Sequence, residues 1–198
     1  MEGEGAYKKG FNGRWQRRGV GFSVSMVASF FLAYHALITN DISGGVTFFY
    51  PAIAFMISFA LWFRMWGALG VWAGSSMAAY VYGFPPVYSA LVMSSDFVQV
   101  LIPLAAYIHT PTPRSLRDIF TKRNALWVFT VPHIVGATWG VFLSHLWGYT
   151  PLSEIPHVWL VWVAGNIVAC LVLIPLILPS FTESLENSGF KPVGWWCG

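Results

Sequence analysis

Long apolar runs alternate with short polar connections along the whole chain. The runs cover residues 19–38, 46–63, 66–83, 86–107, 124–148 and 157–178. Each is long enough to cross roughly 30 Å of hydrocarbon at about 1.5 Å per residue, the second and third being nearest the lower limit. The pattern predicts an all-α polytopic membrane protein with six transmembrane helices. The stretch 46–83 reads as two spans, because Arg64 and Trp66 interrupt it where a cation and an indole can reach lipid head groups. Gly83-Phe84-Pro85-Pro86 reads as a tight outer turn. Thr110-Pro111-Thr112-Pro113 ends the fourth run. Residues 114–123 then set Leu116, Ile119 and Phe120 against Arg117, Lys122 and Arg123, the pattern of a short helix lying on the inner surface.

Charge gives these spans a direction. All eleven Lys and Arg residues fall before the first run, between the second and third, between the fourth and fifth, or after the sixth. The connections around Asp41, Pro85 and Glu154 hold none. Positive charge collects in cytoplasmic loops, so both termini are expected inside, in the cytoplasmic membrane. The domain plan is a basic N-terminal segment (1–18), a six-helix membrane domain (19–178) and a cytoplasmic tail (179–198). The polar, glycine-rich first eighteen residues do not read as a cleaved signal peptide.

Composition agrees. Of 198 residues, 56% are hydrophobic and 10% charged, against about 25% charged in soluble domains. The net charge of +3 is spread over the inner connections rather than gathered in one patch, which argues against nucleic acid as a partner. The partner implied throughout is the lipid bilayer. Cys170 and Cys197 are placed for neither a disulfide nor a metal. No phosphate loop, HExxH motif or catalytic carboxylate pair occurs. No enzyme activity, cofactor or metal is expected.

Candidate chemistry lies in the polar residues of the spans. Asp96 is the one carboxyl deep in a run. A charge there costs about 2.5–3.5 kcal/mol on insertion scales, so it is expected to face the interior and hold a partner. Ser94, Ser95 and Gln99 keep that side polar, and Asn166 falls at nearly the same depth in the sixth run. An Asp96–Asn166 contact is expected, either as a register-fixing pair or as the floor of an outward-facing pocket. His35, Tyr50 and His145 near the outer ends complete the candidate ligand-binding set, with His157 at the outer start of the sixth run. His133 is expected to bond the backbone freed by Pro132 or to pair with Asp96. Pro51, Pro103, Pro132 and Pro175 are expected inside spans as kinks, which either serve packing or open a cavity. Gly67, Gly70 and Gly74 on the third run, and Gly136 and Gly140 on the fifth, are the candidate helix-packing positions. Ser144 and Gly148 continue the fifth-run series at the same spacing.

From Tyr50 onward the order of features resembles the MASE1 family of integral membrane sensor domains. The resemblance rests on Tyr50-Pro51-Ala52-Ile53-Ala54, on Trp66-Gly67-Ala68-Leu69-Gly70-Val71-Trp72-Ala73-Gly74 and on Leu101 to His109. It continues through Ser115-Leu116-Arg117-Asp118-Ile119 and ends in Trp162-Val163-Ala164-Gly165-Asn166-Ile167 with Pro175-Leu176. Tyr50 stands where that family has tryptophan, and Asn166 where it has aspartate. The resemblance implies a non-enzymatic sensor that binds a small ligand of unknown identity. With six spans and no output domain in this chain, signalling would pass to a separate partner protein, cytoplasmic or membrane-embedded. The size and topology also resemble the substrate-binding S component of energy-coupling-factor vitamin transporters, with Gly21, Ser25 and Ala28 in place of its A-x-x-x-A docking signature. That likeness implies a transport role. An accessory subunit of a larger membrane complex is the third reading.

Overall fold

The computed structural model describes residues 2–43, 45–47, 49–109 and 127–187. Helix α1 (Glu2–Asn40) leads into a small antiparallel hairpin of β1 (Asp41–Ser43) and β2 (Val46–Thr47). Then follow α2 (Ala52–Tyr82), α3 (Pro86–Val92), α4 (Ser94–Ile108), α5 (Val131–Leu146) and α6 (Ile155–Asn187). Among the described residues the fold is all-helical apart from the hairpin. Among the described residues, five helical stretches are long and apolar enough to cross a membrane: Trp15–Thr39, Ala52–Tyr82, Pro86–Ile108, Trp127–Leu146 and Leu152–Leu185. The amphipathic segment expected at 114–123 lies outside the described residues, as does the tail beyond 187.

On α1 and α6 apolar side chains face outward while polar ones are buried, the reverse of a soluble helix bundle. On α1, Val24, Val27 and Phe31 are exposed, while Ser25 and Ser29 are buried. On α6, Leu160, Val168, Leu171 and Leu176 face outward and Asn166 is buried. Water would penalise that pattern; hydrocarbon favours it, and Ser25 meets its need for a partner by donating to the Gly21 carbonyl at 2.7 Å.

The 31 residues of α2 do not form one rod. Arg64 sits at φ 59°, ψ −140°, a backbone conformation that bulky residues rarely adopt. A straight helix of that length would hold its ends about 45 Å apart. Yet the Tyr82 hydroxyl reaches Asp41 Oδ2 at 3.1 Å, and Asp41 pairs with Thr47, only five residues before Ala52. A Cβ added at Gly67 would overlap the Phe59 carbonyl oxygen, although residues eight apart on a continuous helix are separated by about 12 Å. The chain therefore turns back at Arg64. Its two arms, 52–63 and 65–82, lie side by side. Residues of the first arm from Ala52 to Leu61 are almost all buried, so this apolar arm is the centre of the bundle. Arg64 does not reach head groups as expected. It is 1% exposed, with its guanidinium 4.6 Å from the centre of the Tyr107 ring.

Small residues set how closely the helices approach. Gly70 and Gly74 lie against the α1 backbone at Phe22 and Met26. Gly67 faces the other arm of α2, so the glycine stripe of the third run divides between two neighbours. Gly136 seats the Gln99 side chain, and Gly140 seats the Trp162 ring beside Ser95. Gly148, expected to continue that series, instead lies beyond α5 at φ 79°, where it makes the turn.

Several expected boundaries shift. Pro51 stands at the start of α2 and Pro132 in the first turn of α5, where a missing N–H goes unused. Pro103 and Pro175 lie inside helices as expected, and Pro179 joins them. The second run begins in β2 rather than in helix. The sixth helix continues past 178 to Asn187, so the first part of the expected tail is helical.

Candidate functional site

Three elements converge on Asp96. It sits in the first turn of α4 and is 2% exposed. Tyr50, placed by the hairpin at the head of the central arm, donates its hydroxyl to Asp96 Oδ2 at 3.2 Å and lies 3.7 Å from Met56 Sδ. Ser75 of the second α2 arm lies near the same carboxyl, its hydroxyl donating to the Val71 carbonyl at 3.0 Å. A small cavity of about 20 Å³ adjoins this group, lined by Ala33, Leu37, Gly45, Thr47, Met93 and Trp162 together with Tyr50 and Asp96. That is room for about one water molecule.

One turn along α4, Gln99 anchors a second polar cluster. Its Oε1 lies 2.9 Å from His133 Nδ1 and accepts from Asn166 Nδ2 at 2.8 Å. All three side chains are fully buried. The cluster ties α4, α5 and α6 together at one depth. The expected Asp96–Asn166 contact is thus replaced: Asn166 meets Gln99, and Asp96 meets Tyr50. His133 pairs with Gln99 rather than with Asp96.

A third network closes the end of the bundle at the hairpin. Asp41 Oδ1 accepts from the Gly45 N–H at 3.1 Å, and Oδ2 accepts from Tyr82. Burial pushes the Asp41 carboxyl above its ordinary value, and the bonds from Tyr82 and Gly45 pull the other way. Ser43 Oγ lies 3.2 Å from Thr150 Oγ1, and Ser144 Oγ lies 2.7 Å from the same hydroxyl. His145 Nδ1 donates to the Thr150 carbonyl at 3.0 Å. Tyr88 and Tyr149 pack 4.5 Å apart, centre to centre, beside Phe84 and Trp147.

Of the candidate set, Tyr50 and Asp96 share the cavity, and Gln99 and Asn166 form the cluster beneath it. His145 belongs to the hairpin-end network. His35 is exposed on α1 and joins none of these groups. His157 is exposed as well. Ser75, Thr47 and Met93 were not singled out from sequence; a serine or threonine among apolar residues carries no signal of the direction it faces. Among the described residues, no group of three or more His, Cys, Asp or Glu side chains could hold a metal ion.

Long apolar helices that face apolar side chains outward, around a mostly apolar core holding a few buried polar clusters, define an all-helical polytopic protein of the membrane type. No family model, curated protein or solved structure matches the chain.

Proposed function

We propose that the chain is a non-enzymatic sensor module of the cytoplasmic membrane, of the kind the MASE1 resemblance implies, which takes a small ligand beside Asp96 and signals through a partner protein. In this reading it crosses the bilayer six times, the two arms of α2 being separate spans, with both termini inside. The fold-back at Arg64 and the siting of Lys and Arg support that path. The observation that carries the ligand reading is the cavity itself. The buried residues Asp96, Tyr50 and Thr47 border a small space beneath the hairpin.

The cavity's size favours a sensor over a vitamin-type transport subunit, because an organic solute would enter only if the hairpin lifted. Reconstituted alone in proteoliposomes, the protein is expected to bind ligand without accumulating it. Solute uptake would overturn the sensor reading in favour of transport. For the topology, an impermeant amine reagent on intact cells is expected to label a lysine introduced beside Glu154 and to leave Lys122 unlabelled. The reverse pattern would overturn the orientation.

A further inference from the structure

We propose that the cavity beside Asp96 binds a single monovalent inorganic cation. This deepens the ligand reading above and rests on it. Asp96, Tyr50 and Thr47 all line the space, and each is more than nine-tenths buried. Asp96 is bonded by the Tyr50 hydroxyl, and among the described residues no cationic side chain is bonded to it. A carboxylate in a low-dielectric interior needs a compensating charge, and here that charge comes from the guest. The Tyr50 hydroxyl takes one carboxylate oxygen, Oδ2, which leaves Oδ1 to face a cation. Thr47 and the Gly45 backbone border the same space, and hard cations take oxygen ligands. The Trp162 ring forms part of the wall, and an aromatic face attracts a desolvated cation.

One carboxylate balances one positive charge. Divalent ions such as calcium collect several carboxylates and six or more oxygens, and this space offers one carboxyl. Its volume, that of about one water, excludes organic ammonium ions.

The test is thermal unfolding of the detergent-purified full chain in sodium, potassium, lithium or choline chloride, at equal ionic strength and one pH above the carboxylate range. A saturable rise in Tm is expected with at least one inorganic cation relative to choline. Asp96→Asn should abolish it. Thr47→Val, which keeps the carboxyl and the shape, should weaken the apparent affinity several-fold and guards against an Asp96 variant that fails to fold. Equal Tm values in all four salts would overturn the proposal. So would a cation response that survives in Asp96→Asn, or stability that follows pH while ignoring sodium, potassium and lithium, since the guest would then be a proton. A protein that lacks the salt response but retains a co-purified solute, lost in Asp96→Asn, would sink the cation and leave the sensor reading standing.

Discussion

Replacing Gly70 by alanine tests the close approach of α1 to α2. The new Cβ would stand 2.5 Å from the Phe22 carbonyl oxygen and 2.8 Å from Ser25 Cβ. A carbon approaches a carbonyl oxygen comfortably at about 3.3 Å, so α1 must retreat by about 0.8 Å. The obstacle is helix backbone, which cannot rotate away as a side-chain tip can. A gap of that size forfeits a quarter to a half of the dispersion energy of each contact along the seam. Overpacking of this kind costs about 1–3 kcal/mol, and alanine recovers about 1 kcal/mol of helix propensity. The expected net effect is a loss of up to about 2 kcal/mol. Gly19→Ala is the matched control, because nothing lies within 4 Å of a Cβ there; it should be neutral or stabilising by about 0.5–1 kcal/mol. Thermal unfolding of the two variants in detergent, followed by tryptophan fluorescence, reads the difference. The reasoning fails if Gly70→Ala melts at or above Gly19→Ala. Gly74→Ala should behave like Gly70→Ala. The double variant should lose less than the sum, since one retreat of α1 accommodates both methyl groups.

Three further outcomes are expected. Arg64→Gly should be more stable than Arg64→Ala by about 1–3 kcal/mol, because both lose the Tyr107 contact but only glycine accepts φ 59° without strain; equal denaturation midpoints would contradict the turn at that residue. Gln99→Leu should cost more than Asn166→Leu, since it strands both the His133 and the Asn166 donors, at about 1–3 kcal/mol for each orphaned group. The reverse order of melting temperatures would remove Gln99 from the centre of the cluster. For Asp41, the folded carboxyl holds its proton more tightly than the unfolded one. Its relative stabilisation is therefore full below the ordinary value of 3.8 and is lost as pH rises through the raised folded value. The stability difference between wild type and Asp41→Asn should drift against the wild type over that acidic window, and a flat difference across it would count against the buried carboxyl.

The helical spans were legible because hydrocarbon demands long apolar runs, and the break at Arg64 showed as the one charge inside 46–83. What the sequence hid was rotation. Depth along each helix put Asn166 level with Asp96, but which side chains meet depends on how the helices turn about their axes. Gly136 decides that turn by letting Gln99 lie flat against α5, where it intercepts Asn166. Lipid-facing and core-facing positions are both apolar here, so periodicity has little contrast from which to read a face. Arg64 followed the same logic: its place in the chain was plain, but its burial against Tyr107 depends on α4 lying across the turn. The hairpin was hidden for a different reason. Val46 and Thr47 look like the first residues of a span, and only the pairing of Asp41 with Thr47 draws them out of it.

The hairpin is fastened at two places that belong to different parts of the bundle. Asp41 ties it to the end of α2 through Tyr82, and Ser43 ties it to the turn after α5 through Thr150. Ser144 and His145 hold that same threonine. Anything that lifted the strap by even a fraction of an ångström would pull on both anchor points at once. In the proposed sensor reading, that shared fastening would turn occupancy into tension between the α1–α2 half and the α5–α6 half.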